Sequence, residues 1–174
     1  MSGWAWNAWV LAAVFGLWLS SGTQRERPLV AEHAQGVVAD LEARVVASPT
    51  DEAARRDLAQ AYLDTRAPGL AIHAIEAAPE AVRHRAKVEH VYARALAEQG
   101  RSGDALRAER RAIAACVDES VGRKCETWFL ASATRRADIL QELVHFGVED
   151  AQAYPEISAV AYHNATRQAR LAVQ

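Results

Sequence analysis

The sequence predicts an all-α protein: antiparallel helical hairpins with capping helices, preceded by one N-terminal transmembrane helix. Three observations carry this. Alanine, the strongest helix former, fills 38 of 174 positions. Apolar residues recur at helical spacing through the charged part of the chain. The first charged side chain is Arg25, so all 42 charged residues lie in the last 150.

The balance of 20 Lys plus Arg against 22 Asp plus Glu leaves a net charge of −2. A protein held on nucleic acid by charge carries a basic surplus, so nucleic acid is not an expected partner. With 5 Pro and 9 Gly the chain is neither collagen-like nor low-complexity, and two Cys are too few for a disulfide scaffold.

Residues 3–22, from Gly3 to Gly22, carry no charge. Twenty such residues match a helix crossing a ~30 Å hydrocarbon core. Four of the five Trp lie here, at Trp4, Trp6, Trp9 and Trp18. Tryptophan favours the membrane interface, where its ring is buried and its N–H stays wet. Ala8, Ala12, Gly16 and Ser20 recur every four residues, a small-residue ridge on which another transmembrane helix packs closely. The competing reading is a cleaved signal peptide, with Ser20-Ser21-Gly22 as the cleavage site. No Lys or Arg precedes the apolar run, which disfavours that reading.

Residues 23–29 form a linker, and 30–174 a helical domain. Val30 to Ala47 places Val30, Ala34, Val37, Val38, Leu41 and Val45 on one helical face. Ser48-Pro49 stops that helix, and Thr50 is the expected N-cap of the next. Residues 52–85 and 86–119 then align without a gap at a shift of 34. Ala59 falls on Ala93, Ala71 on Ala105, Ala78 on Ala112, Leu58 on Tyr92 and Tyr62 on Leu96. Small positions permit close helix crossing, and large ones fill the adjacent groove. Two capping helices follow at 126–146 and 156–172. The first turns Phe129, Leu130, Ala133, Ala137, Leu140 and Val144 inward and ends at Gly147. The second opens at Tyr154-Pro155.

These repeats resemble the tetratricopeptide family. The matching stretches are LAQAYLDTRAPGLAIHAIEAA, from Leu58, and YARALAEQGRSGDALRAERRA, from Tyr92. Gly100 stands at the family's inter-helix turn, and Pro49 where its terminal proline closes a preceding unit. The sequence departs from the pattern at Arg66, which replaces the turn glycine, at Pro79, and at Glu109, where an aromatic is usual. The resemblance implies a protein-binding groove lined by the first helix of each repeat. Carried over by position, that groove exposes Arg56, Gln60, Leu63 and Asp64, then His90, Arg94 and Ala97. Arg56 and Arg94 would take carboxylates through paired N–H donors. The competing reading is a solvated charged face.

Cys116 and Cys125 flank a short inter-helix loop. They are either a disulfide or two half-buried thiols; a zinc site would need further ligands. The six His, at positions 33, 73, 84, 90, 145 and 163, match no metal or catalytic spacing. No nucleophile elbow, Walker loop or dinucleotide fingerprint is present, and Asn164-Ala165-Thr166 is a fortuitous glycosylation sequon. The sequence therefore points away from an enzyme and from any cofactor.

The expectation is a single-pass membrane adaptor or accessory subunit. It would touch the lipid bilayer and other membrane subunits, dock a protein or peptide in its groove, and stabilise a larger complex. Arg25 and Arg27 alone favour a cytoplasmic domain. A disulfide would favour the periplasm, the preferred side. The alternative is an exported, soluble periplasmic chaperone with a cleaved signal.

Overall fold

In a computed structural model of the chain, the described residues are 28–117 and 125–171. They contain eight helices and no strand. The expected membrane segment, with Trp4, Trp6, Trp9, Trp18, Ala8, Ala12, Gly16 and Ser20, lies outside the described residues. Among the described residues no helix is long and apolar enough to cross a membrane. The packing below belongs to one compact unit that begins at Gly36.

The helices are α1 (Pro28–Ala47), α2 (Glu52–Asp64), α3 (Pro68–Glu76), α4 (Glu80–Arg83), α5 (Ala86–Glu98), α6 (Ser102–Val117), α7 (Thr127–His145) and α8 (Pro155–Leu171). Helices α2 and α5 begin 34 residues apart, and so do α3 and α6. Neighbours in the chain pack together: α2 on α3, both on α5, α5 on α6, α6 on α7 and α7 on α8. Ala59, Ala93, Ala71, Ala105 and Ala112 are fully buried at these crossings. With no side chain beyond Cβ, they let the backbones approach, while Leu63, Ile75, Val88 and Leu96 fill the space between.

The turns repeat as well. Arg66 adopts φ 58° and Gly100 φ 72°, again 34 residues apart. At the first, Ala67 N–H donates to Tyr62 C=O and Arg66 N–H to Leu63 C=O. At the second, Arg101 N–H donates to Leu96 C=O and Gly100 N–H to Ala97 C=O. Gly147, at φ 69°, ends α7 with the same pair of bonds, from Val148 to Leu143 and from Gly147 to Val144. This left-handed closure satisfies the last carbonyls of a helix and reverses the chain. Arg66 thus performs the turn that glycine performs elsewhere, despite its Cβ.

Helix α3 stops at Glu76, seven residues shorter than α6, because Pro79 has no N–H to continue the ladder. The short α4 bridges the gap and buries Val82. The N-cap of α2 is Asp51, not Thr50: its Oδ1 accepts from Ala54 N–H at 3.1 Å. Helix α1 packs Val38, Leu41 and Val45 against Ala54, Leu58 and Ala74. Val37, expected beside Val38, lies a quarter-turn away and is 41% exposed. In α7 the inward row ends at Leu143, and Val144 turns to the surface for the same reason.

Tyrosines join successive units. Tyr62 donates to Glu42 of α1, and Tyr92 donates to Glu76 of α3 at 2.7 Å. Partial burial and the facing carboxylate push both phenols up to about 12. Farther along, Ser102 N–H and Oγ–H both donate to Glu149 C=O, at 3.1 and 2.7 Å. That docks the segment after α7 onto the turn between α5 and α6.

Candidate functional site

A cleft of about 650 Å³ opens where the first hairpin turns against the second. The C-terminal end of α2 supplies Leu63 and Asp64, the turn supplies Arg66, and α3 begins there with Pro68. The last turn of α5 adds Arg94 and Glu98. Gln152 comes from the segment that Ser102 and Glu149 hold in place.

The lining charges differ in how far they are committed. Arg94 Nε donates to Glu98 Oε1 at 2.9 Å, one helical turn on. Asp64 Oδ1 accepts from Gln60 Nε2 at 2.7 Å. The side chain of Arg66 is exposed and, among the described residues, engages no hydrogen bond or ion pair. The cleft therefore offers a neutralised pair, a carboxylate held by a neutral amide, and one uncommitted cation.

Of the residues expected to line a groove, Leu63, Asp64 and Arg94 do line this cleft. Leu63, expected to be exposed, is instead 3% exposed: it packs in the core and shows the cleft only an edge. Arg56 turns back on its own helix, giving Nε and Nη2 to Asp57 Oδ1 at 2.9 and 2.6 Å. Gln60 serves the cleft only through Asp64. Ala97 packs against the core. His90 is drawn inward away from this cleft, because Nδ1 bonds the fully buried Glu109 and the ring meets Phe129 edge-on at 5.1 Å.

Glu109 stands where the repeat pattern would place an aromatic. Its Oε1 is satisfied by His90, while its Oε2 and the Nη1 of Arg136 are both buried without a hydrogen bond. Burial holds the Arg136 guanidinium below its ordinary value, and the nearby Glu109 opposes that shift. A second buried carboxylate, Glu89, accepts from Arg111 Nε and Nη2 at 2.8 and 2.9 Å and contacts His84 Nδ1 at 2.9 Å. That fork–fork bond raises the Arg111 guanidinium. Both carboxylates link α5 to α6, so charge in this core serves helix pairing.

Cys116 and Cys125 are joined by a disulfide, with Cα atoms 5.2 Å apart. It ties the end of α6 to the entry of α7, where Lys87 Nζ also donates to Glu126 at 3.0 Å. Asn164 Nδ2 of α8 donates to Glu142 of α7 at 3.1 Å, so the sequon amide joins these two helices. Among the described residues, no group of three or more His, Cys, Asp or Glu side chains is placed to hold a metal ion.

Sequence reasoning missed Arg66, Pro68, Glu98 and Gln152. Two of these carried a signal. Arg66 occupies the turn position aligned with Gly100, and Glu98 lies four residues beyond Arg94, the spacing of a helical ion pair. Gln152 carried none, since its place depends on a contact between residues 47 apart in sequence. The chain matches no family of known proteins, no curated protein and no solved structure.

Proposed function

We propose that the chain is a membrane-anchored adaptor of tetratricopeptide-like hairpins. Residues 3–22 hold it in a bilayer beside other membrane subunits. The cleft at the end of α2 docks a segment of a partner protein, and the adaptor stabilises the larger complex without catalysis. The carrying observation is this cleft, set between two hairpins whose helix starts and left-handed turns both recur after 34 residues. A cleft of this size makes a modest contact alone, and confinement to the membrane raises the effective concentration of the partner. The Cys116–Cys125 disulfide supports a periplasmic domain, since such bonds persist in oxidising compartments.

The test is extraction of the native protein in mild detergent, followed by identification of co-purifying chains. The reading predicts a reproducible set of membrane proteins. Elution alone as a monomer overturns it.

A further inference from the structure

From the charges lining the cleft, we infer that it recognises one acidic side chain within a partner segment, and that Arg66 is the residue that reads it. The inference rests on the adaptor reading and gives its ligand a chemistry.

Four charged residues line the cleft, and they are not equivalent. Arg94 is neutralised by Glu98, so an incoming carboxylate must displace that pair to use it. Arg56 lies elsewhere and is taken by Asp57. Arg66 remains, exposed and without a partner among the described residues, at the rim of a space of about 650 Å³. Its guanidinium presents a planar fork of donors that matches a carboxylate. A carboxylate entering here gains an uncommitted partner and breaks nothing.

The same lining sets a limit on the ligand. Asp64 and Glu98 flank the site and repel a second negative charge. A run of acids is therefore disfavoured, and a single acid between neutral or basic neighbours is favoured. Asp64 keeps accepting capacity beyond its bond from Gln60, and the amide of Gln152 both donates and accepts, so a ligand backbone finds partners beside the charge.

The geometry of Arg66 also supplies a clean test. At φ 58° the position tolerates glycine better than any other residue, so Arg66→Gly removes the charge while favouring the fold. The experiment measures binding of short fluorescent peptides, blocked at both ends, to the full chain in detergent. Two peptides differ only in Glu or Gln at one central position among Leu and Ala. A third has Gln and, unlike the other two, leaves its C-terminal carboxylate unblocked. The wild type is expected to prefer the Glu peptide over both others by roughly three- to fivefold, the scale of a partly exposed charge pair. Arg66→Gly abolishes the preference, and Arg66→Lys keeps part of it.

Equal binding of the Glu and Gln peptides by the wild type overturns the inference. So does absence of binding, stronger binding of the free terminus, or a preference that survives Arg66→Gly. If membrane chains still co-purify while the peptides are not distinguished, only the acidic-ligand inference fails. If no chain co-purifies, the adaptor reading fails with it.

Discussion

Replacing Gly100 with Ala perturbs a position where two independent costs can be worked out. The backbone is left-handed, at φ 72°, a conformation that costs an L-residue with a Cβ about 1 kcal/mol more than glycine. The added Cβ also lands 3.0 Å from Asp150 Cβ and 3.2 Å from its Cγ. Asp150 cannot simply swing aside, because its Cα is itself 3.5 Å away and its neighbour Glu149 is bonded to Ser102. Shifting that segment by a few tenths of an ångström costs about another 1 kcal/mol. Alanine narrows the unfolded ensemble and returns part of this, about 0.5 kcal/mol. The net loss is about 1.5 kcal/mol, or roughly 3–6 °C in melting temperature for a domain of this size. The assay is thermal unfolding followed by far-ultraviolet circular dichroism. The matched experiment is Arg66→Gly, which relieves the same strain at the aligned turn and is expected to raise the melting temperature by about 2 °C. An unchanged melting temperature for Gly100→Ala, or a lower one for Arg66→Gly, refutes the claim that the two turns are equivalent.

Reducing the Cys116–Cys125 bond, or replacing both cysteines with Ser, releases a ten-residue loop and is expected to lower stability by about 2.5–3 kcal/mol, measured by urea unfolding with and without reductant. Equal midpoints would show that the bond contributes nothing. Glu109→Ala leaves His90 without its carboxylate and Arg136 half-buried without compensation, for an expected loss of about 3 kcal/mol by the same assay; a loss under about 1 kcal/mol contradicts a buried electrostatic role. The two tyrosines define an alkaline limit. Their folded values of about 12 lie above the ordinary 10, so their stabilisation is complete below pH 10 and is lost as pH rises toward 12. Tyr62→Phe and Tyr92→Phe should each flatten the fall in stability over that window, and an unchanged slope contradicts the assignment.

The hairpins were legible because their information is local and repeated. Close helix crossing demands Ala at 59 and 93, and at 71 and 105, and those positions recur at one spacing. The left-handed turn at Arg66 was legible only by alignment with Gly100, since arginine by itself signals no such conformation. The cleft was legible in part. Repeat position points to Asp64 and Arg94, but it does not show that Asp57 and Glu98, within reach along the same helices, take up Arg56 and Arg94. Repeat position alone exposes His90, because a buried acid at position 109 that draws it inward is not encoded in the spacing. Gln152 and the docking of Glu149 on Ser102 depend on tertiary contact, which neither periodicity nor spacing encodes.

The intact mass of the native protein tests the membrane-anchored account most directly. The account predicts a mass that includes residues 3–22. A mature chain beginning after Ser20-Ser21-Gly22 would contradict it and leave an exported soluble protein in its place.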